Sequence, residues 1–368
     1  MNKPLFNDLG AQWQEIRARA LPQIIETLES GNYVSGEKVE RFEKEFAEYT
    51  GSKFCVALNS GTSALYAALL ALGVGPGDKV VVQNNTFIAT ATSVLLVGAT
   101  PVLVDVDVKS GQICPDQLAN VLHDQPIAAV IVVHLWGHAA KIEEIANLCQ
   151  RYQVPIIEDC AQAHGTKVNE RHVGTFGEIG CFSFYPGKSL GAAGEGGAIV
   201  TNKQNLAESV KKLRNWGQSE KYVHESFGIN LRMDEVQAVV LTEKLSLLQQ
   251  WTRAKQEVID AYHSQLPSEY FFEQPELSEI RGYHLAIVQI PNRKLAMEAL
   301  TSAGIPFGIH YPITISEQRS MHGKFDSIND LQNSLQIAKS LLSLPLHPWV
   351  TEDQVKYICS TLIEAQKN

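Results

Sequence analysis

The 368-residue sequence lacks the features that would mark a membrane-spanning, nucleic-acid-binding or exported protein. No apolar stretch reaches the roughly 20 residues of a membrane-spanning helix, and residues 1–8 contain no apolar signal region, so neither membrane insertion nor export is expected. Long runs of basic residues are also missing, and 40 acidic against 31 basic residues give a net charge of −9. A nucleic-acid partner, which requires a basic surface, is therefore not expected.

Paired cysteines are missing as well. The six cysteines are scattered and form no Cys-x-x-Cys pair, which predicts reduced thiols in a cytoplasmic protein. His134 and His138 have the spacing of zinc ligands on a helix, but their segment is predicted to be a strand and then a loop, and no glutamate follows His134. We therefore predict a cytoplasmic protein without a metal site.

The first two-thirds of the chain alternate between strand-like and helix-like segments. The predicted strands are continuous apolar runs, which indicate a mostly parallel sheet covered on both faces by helices. They lie at residues 54–58, 79–82, 101–105, 128–134, 155–159, 181–185 and 198–202. A helical stretch from about residue 233 to 263 leads into a second domain. The sequence thus predicts an α/β protein with a large domain at 1–245 and a smaller α+β domain at 246–368.

Three polar residues follow predicted strands at the edge where parallel sheets bind ligands: Ser60, Asp159 and Ser183. Ser60 belongs to the turn Asn59-Ser-Gly-Thr62, which leads from a strand into a helix. Such a turn exposes unpaired backbone N–H groups at the positive end of the helix and is a ready anion site. An ordinary capped helix is the alternative interpretation of the same residues.

Lys188 lies in a glycine-rich loop that follows one predicted strand, and Glu158 and Asp159 end another. A lysine amine and a buried carboxylate are the pair that pyridoxal phosphate chemistry requires. The amine forms a Schiff base with the cofactor aldehyde, and the carboxylate keeps the pyridine nitrogen protonated. We expect one of the two acids to face the interior, where it needs a cationic partner. An acid that caps a helix or pairs with an arginine is the alternative.

The Lys188 loop partly matches two nucleotide-binding motifs but fits neither of them. Gly187-Lys188-Ser189 matches the end of a P-loop, yet the glycine required at position 182 is replaced by Phe182. The later glycines suggest a dinucleotide motif, but a strand rather than a helix follows them. A surface lysine in a flexible loop remains as the alternative to a cofactor lysine.

Four motifs are specific enough to indicate a family. They are Ser60-Gly-Thr-Ser-Ala-Leu65, Glu158-Asp-Cys-Ala-Gln-Ala-His-Gly165, Phe182-Ser-Phe-Tyr-Pro-Gly-Lys188 and Gly228-Ile-Asn-Leu-Arg-Met-Asp-Glu-Val-Gln-Ala238. With similarity from Ser30 to His347, the chain resembles the DegT/DnrJ/EryC1/StrS sugar-nucleotide aminotransferases. The resemblance implies the type I, aspartate-aminotransferase-like fold and pyridoxal 5′-phosphate as the cofactor.

The resemblance also implies roles for individual residues around the cofactor ring. Lys188 would carry the Schiff base and then move the proton between the substrate and cofactor carbons. Asp159 would pair with the pyridine nitrogen, Gln162 would contact the ring hydroxyl, and Phe87 would stack on the ring face.

The same resemblance implies a phosphate site and a dimer. Gly61, Thr62 and Ser183 would hold the cofactor phosphate, and Asn230 would reach it from the other subunit. A homodimer with two shared active sites follows from that borrowed asparagine.

On the substrate side, the motifs are similar to those of members that act on dTDP-linked 3-keto-6-deoxy sugars. Tyr185, His310 and Tyr311 would face the sugar, and Lys221 and Tyr222 would reach the diphosphate or the nucleotide. The implied reaction transfers an amino group from L-glutamate to carbon 3, in O-antigen, other glycan or deoxysugar biosynthesis. Amination at carbon 4, a cyclitol (keto-inositol) substrate, another pyridoxal phosphate reaction and a non-enzymatic regulator are the alternatives.

Overall fold

The computed structural model describes residues 3–273, 279–327 and 330–367. The strands are β1 (Phe54–Leu58), β2 (Lys79–Gln83), β3 (Thr100–Val104), β4 (Ala129–Val133), β5 (Ile156–Asp159), β6 (Lys167–Val168), β7 (Arg171–His172), β8 (Ile179–Ser183), β9 (Gly197–Thr201), β10 (Gln218–Glu220), β11 (Val223–His224), β12 (Glu279–Ile280), β13 (Ala286–Gln289) and β14 (Leu341–Leu344).

The helices are α1 (Leu9–Ser30), α2 (Glu37–Thr50), α3 (Gly61–Ala71), α4 (Ile88–Leu96), α5 (Pro115–Asp124), α6 (Ile142–Tyr152), α7 (Gln204–Leu213), α8 (Glu235–Leu245), α9 (Leu248–Gln265), α10 (Arg293–Ala303), α11 (Gln332–Ser340) and α12 (Glu352–Gln366). Among the described residues, none of these helices combines the length and the apolar character needed to cross a bilayer.

A seven-stranded sheet in the order β1-β9-β8-β5-β4-β2-β3 forms the centre of the protein. The pairs β2-β3, β2-β4, β4-β5 and β5-β8 are parallel. Strand β9 is antiparallel to both β1 and β8, so those two run in the same direction as the rest. The predicted α/β fold with a mostly parallel sheet is confirmed.

The strands are apolar throughout because their alternate side chains enter two different cores. In β2, Val80 and Val82 pack in a core with α3, α4 and α7, whereas Val81 packs in a core with α5 and α6. Helices therefore cover both faces of the sheet, as continuous apolar runs predict.

Helix α1 was not predicted from the sequence. It packs on α8, where Ile16 and Ala20 are fully buried and share a cluster with Val239 and Val240. Pro22 lies inside this helix, and proline is normally a signal that ends a helical segment. We infer that packing against α8, rather than a local sequence signal, stabilises this helix.

The predicted helical stretch from residue 233 to 263 is divided between α8 and α9. The Leu247 N–H donates to the Lys244 carbonyl at 2.9 Å, and the Ser246 hydroxyl donates to the Glu243 carbonyl at 2.7 Å. These bonds satisfy carbonyl groups at the end of α8 and allow the chain to change direction. Because both helices bury apolar residues, the helical period continues across the turn and does not reveal it.

The C-terminal third has a core of its own. Helices α9, α10 and α12 pack together around the antiparallel pair β13-β14, and Tyr262, Leu300, Leu342 and Ile358 are buried at the centre of this cluster. The core is consistent with a smaller C-terminal unit, and the boundary between residues 245 and 246 stays a prediction.

Candidate active site

A cavity of about 630 Å³ opens at the carboxyl ends of the parallel strands. Strands β1, β5 and β8 run in the same direction, so the turns that follow them meet at this edge. Most residues that the sequence predicts for the site line the cavity: Gly61, Thr62, Phe87, Asp159, Gln162, Ser183, Tyr185, Lys188, His310 and Tyr311. Asn230, Lys221 and Tyr222 lie outside it.

Asp159, the last residue of β5, is buried and held in place by two hydrogen bonds. The Thr90 hydroxyl donates to Oδ2 at 2.9 Å, and the Ala161 N–H donates to Oδ1 at 3.1 Å. Burial raises the pKa of the carboxyl, while these two bonds and the charge of Lys188 offset part of the rise. A cationic ligand in the cavity would favour the charged carboxylate further.

The adjacent acid, Glu158, is buried too, although the sequence predicted that only one of the pair faces the interior. Its carboxylate accepts from the Gly174 and Gly177 N–H groups at 2.7 Å each and contacts His134 Nε2 at 3.0 Å. Cys160 lies close enough to complete a three-ligand cluster. The carboxylate oxygens of Glu158 accept from the Gly174 and Gly177 N–H groups, so Glu158 holds the turn at residues 174–177 against the end of β5.

Lys188 enters the cavity from the turn after β8 and is half-buried. Its backbone N–H closes the turn by donating to the Tyr185 carbonyl at 2.8 Å. Burial lowers the pKa of the amine to about 8, although the charge of Asp159 acts in the opposite direction. Lowering the pKa increases the fraction of the amine that is neutral near pH 7, and the neutral amine is the form that attacks an aldehyde.

The predicted anion site is a tight junction between the start of α3 and the strands beside it. The Ser60 hydroxyl caps the helix by accepting from the Ser63 N–H at 3.1 Å. A Cβ on Gly61 would lie 2.6 Å from Cβ of Ser183, and one on Gly197 would overlap the Ser60 carbonyl oxygen. Glycine is thus required at both positions, and the close approach brings the Ser183 side chain beside the positive end of the helix. This cradle fits a phosphate group.

Gln162 and Tyr311 form one wall of the cavity. The Gln162 amide accepts from the Trp136 N–H at 2.8 Å and donates to the Tyr311 hydroxyl at 2.9 Å. The Phe87 ring lies 5.5 Å from the Tyr311 ring, centroid to centroid, and its side chain is 52% exposed. An exposed aromatic face in a cavity is available for stacking on a flat ligand.

His310, next to Tyr311, is held by groups from three segments. Its Nδ1 contacts the Ser343 hydroxyl at 2.8 Å, and its carbonyl accepts from Trp136 Nε1 at 2.8 Å. The Phe6 ring stacks on the imidazole at 6.1 Å. Burial and the charge of Lys188 lower the pKa of His310 to about 4, so the ring is neutral at physiological pH.

Several residues that line the cavity were missed by the sequence analysis, among them Phe6, Asn7, Thr90, His284 and Leu346. Thr90 could have been found, since it lies three residues after Phe87 and therefore on the same side of the predicted helix. The N-terminal and C-terminal residues carry no such local signal, because only the tertiary fold brings them to this edge.

The three predicted residues outside the cavity belong to residues 216–230, which we call the arm. Tyr222, at the tip of the β10-β11 hairpin, is 78% exposed, and Lys221 Nζ lies 5.4 Å from its ring centroid. Asn230 is exposed and accepts from Arg232 Nε at 3.1 Å. Trp216 and Phe227 also expose large parts of their rings. The arm therefore exposes aromatic and polar groups that are available for contact with another molecule.

Comparisons with known proteins agree with this site. The DegT/DnrJ/EryC1/StrS aminotransferase family matches residues 14–363. A dTDP-3-amino-3,4,6-trideoxy-alpha-D-glucose transaminase from Streptomyces venezuelae is 36% identical, with 98% of this chain and 95% of the relative covered. A UDP-2-acetamido-2-deoxy-3-oxo-D-glucuronate aminotransferase from Pseudomonas aeruginosa is 34% identical over 97% of this chain and 99% of its own.

A solved structure extends the agreement to three dimensions. The crystal structure of S. venezuelae DesV in complex with a ketimine intermediate is similar to this chain with a TM-score of 0.95 and 34% identity, over 100% of both chains. The buried carboxylate, the lysine of lowered pKa and the phosphate cradle all fit pyridoxal phosphate. The chain therefore belongs to the DegT/DnrJ/EryC1/StrS family and is, as its sequence predicts, a pyridoxal-phosphate-dependent sugar aminotransferase.

Proposed function

We propose that the protein transfers an amino group from L-glutamate to carbon 3 of a dTDP-linked 3-keto-6-deoxyhexose. The observation that carries this proposal is the convergence of Lys188, Asp159 and the Gly61 cradle on one cavity. The names of both relatives support carbon 3, since one product is a 3-amino sugar and one substrate a 3-oxo sugar. They differ in the nucleotide, and the resemblance of the motifs around Tyr185 and His310 to those of members that act on dTDP-linked 6-deoxy sugars is what supports dTDP and the 6-deoxy sugar in this proposal.

Asp159 is proposed to hold the ring nitrogen of the cofactor in its protonated form. When bound, pyridoxal phosphate supplies an aldehyde that captures amines and a ring that withdraws electron density from the reacting carbon. The carboxylate of Asp159 would stabilise a positive ring nitrogen, and the hydrogen bonds from Thr90 and Ala161 favour its charged form. Gln162 is proposed to contact the ring hydroxyl, and Phe87 to cover the ring face.

Lys188 is proposed to bind the cofactor and to act as the acid–base group. Its Nζ would take a proton from the donor carbon and pass it to the cofactor carbon, and in the second half-reaction would move a proton from the cofactor carbon to the sugar carbon. A pKa of about 8 suits both steps, because the amine can gain and lose a proton near the pH of the cell. His310 also lines the cavity, but its pKa of about 4 makes it a weak base that does not compete with Lys188 for that proton.

We further propose that two copies of the chain share each site. Gly61, Thr62 and Ser183 would hold the cofactor phosphate from one subunit, and Asn230 would reach it from the other. The exposed groups of the arm support this arrangement, since Trp216 and Phe227 would be covered by a second copy.

The sugar nucleotide would enter the cavity between Tyr185, His310 and Tyr311. Tyr185 is 54% exposed at the cavity wall, so its ring and hydroxyl can contact a sugar. Lys221 and Tyr222 at the tip of the arm would reach the diphosphate or the base of a substrate bound in the partner's cavity. A basic side chain beside an aromatic ring suits that polar, flat ligand.

The experiment that tests this function follows the cofactor absorbance of the purified protein. Glutamate should convert the pyridoxal form to the pyridoxamine form, and dTDP-3-keto-6-deoxyhexose should reverse the change. dTDP-4-keto and UDP-3-keto sugars and keto-inositols serve as alternative acceptors in parallel. A protein that shows no spectral change with glutamate would contradict the proposed amino donor, and reversal by another acceptor alone would replace the proposed substrate.

A further inference from the structure

Lys255, on α9, is a buried lysine that the proposed reaction does not use. Its ammonium group donates three hydrogen bonds: to the Ser189 hydroxyl at 2.9 Å, to the Tyr283 carbonyl at 2.8 Å and to the Gly282 carbonyl at 3.2 Å. All three acceptors are neutral. Ser189 directly follows Lys188, so one of these bonds ends beside the residue that is proposed to bind the cofactor.

A buried ammonium group without an anionic partner is costly, and an apolar residue would avoid the cost. Burial accordingly lowers the pKa of Lys255 to about 7. The three bonds connect two segments at the cavity, because Ser189 follows Lys188 and Tyr283 precedes His284, and both Lys188 and His284 line the cavity. The Gly282 N–H also donates to Thr166 and Gly137, so Lys255 adds a direct link between this segment and the Lys188 loop.

A second buried lysine provides a comparison on the same loop. Lys244, on α8, donates to the Gly191 carbonyl at 2.7 Å and to Gln12 Oε1 at 2.9 Å, and burial lowers its pKa to about 8. Gly191 lies three residues after Lys188, and neither Gly191 nor Lys244 lines the cavity. The two lysines share chemistry and burial but differ in whether they hold the residue next to Lys188.

We propose that Lys255 is a positioning residue for Lys188. By holding Ser189 against the backbone of residues 282–283, it fixes the direction from which the Lys188 amine enters the cavity and faces Asp159. The inference rests on the proposed role of Lys188 and extends it to a residue of the C-terminal unit. Misplacing a reacting group by about 1 Å can cost about 100-fold in rate, so the effect should be large enough to measure.

The test measures how fast Lys188 captures the cofactor, independently of turnover. Cofactor-free protein is mixed with pyridoxal phosphate, borohydride traps the adduct at set times, and mass spectrometry of the Lys188 peptide gives the labelled fraction. We expect Lys255→Met to slow labelling about 100-fold and Ser189→Ala to slow it less. Lys244→Met, which removes an equivalent buried charge that contacts the same loop from α8, should be labelled close to the wild-type rate.

A double-mutant cycle isolates the Lys255–Ser189 bond. If that bond carries the effect, Lys255→Met should slow labelling less in the Ser189→Ala background than in the wild-type background. Thermal melting of the cofactor-free variants shows whether Lys255→Met and Lys244→Met are folded to the same degree. If Lys255→Met does not fold, the labelling rate of Ser189→Ala decides the question alone.

The outcomes separate this inference from the proposed function. Wild-type protein labelled at Lys188, with folded Lys255→Met labelled equally fast, would overturn the positioning role and leave the function intact. Equal slowing of labelling in Lys244→Met and Lys255→Met would also overturn it, because the slower labelling would then follow from the loss of any buried lysine that contacts the loop. Wild-type protein that is not labelled at Lys188 would overturn the proposed role of Lys188 and this inference with it.

Discussion

The cofactor end and the substrate end of the proposed site differ in how far their side chains are packed and hydrogen-bonded within one chain. At the cofactor end, Asp159 is fixed by Thr90 and Ala161, and the Gly61 cradle is packed against Ser183 with no room for a side chain. At the substrate end, the arm leaves Tyr222 and its neighbours exposed. The carboxylate and the anion turn are thus placed at strand ends, while Lys221 and Tyr222, which are proposed to contact the nucleotide, lie on a hairpin that can vary without disturbing the core.

The largest effect is expected at the cofactor end. Lys188→Ala removes both the amine that binds the cofactor and the acid–base group, so the glutamate half-reaction should fall about 10⁴-fold. Rapid-mixing absorbance measurements give the rate. The matched control is Lys203→Ala, an exposed lysine whose loss should leave the rate unchanged. Residual turnover near the wild-type level would show that the cavity works without Lys188.

A smaller but still large loss is expected from Asp159→Asn. The substitution keeps the shape but removes the charge that stabilises a protonated ring nitrogen, so the rate should fall about 100- to 1000-fold. Thr90→Val provides a graded comparison, because it keeps the carboxylate and deletes the 2.9 Å hydroxyl donor to it, together with a 3.2 Å contact to the Thr86 hydroxyl. A loss in Thr90→Val that equals the loss in Asp159→Asn would mean that the carboxylate acts through its hydrogen bonds rather than its charge.

Asn230 tests whether the arm completes the site of a second subunit. Asn230→Ala should weaken cofactor binding about tenfold, which corresponds to one hydrogen bond to a charged phosphate. Mixing Asn230→Ala with Lys188→Ala should then restore a tight and active site, since a shared site takes Lys188 from one chain and Asn230 from the other. Equilibrium dialysis and turnover of the mixture provide the measurement. A mixture no better than its two components would rule out the shared site.

The smallest effect concerns the pH response of Lys188 in the cofactor-free protein. Its ordinary pKa of 10.5 is lowered to about 8, so labelling by an amine-reactive reagent should increase with pH and reach half its maximum near pH 8. Asp159 raises this pKa by stabilising the ammonium form, so Asp159→Asn should move the midpoint to lower pH. An upward shift in the variant would mean that the two groups are not in electrostatic contact.

The difference between the two ends also explains how much the sequence could predict. Asp159, Ser183 and the turn at Ser60 were found because each directly follows a buried strand, and parallel strand ends must meet. Lys188 was found because it pairs with the acidic end of a buried strand and lies in a family motif, while its loop fitted neither nucleotide motif. Phe6 and His284 could not be found, since their place in the cavity depends on how the first residues and the C-terminal unit pack. The burial of both Glu158 and Asp159 was not predicted, because the sequence does not show that His134 contacts Glu158.

The reversed strand β9 has a consequence for the order in which the protein can be made. Its pairing joins Phe54 to Thr201, so the anion turn lacks its neighbour Gly197 until about 200 residues have left the ribosome. The far wall arrives later still, with His310 and Leu346. A nascent chain therefore acquires its cofactor pocket near the end of synthesis, and a prematurely terminated chain would expose apolar strands without any cofactor to stabilise them.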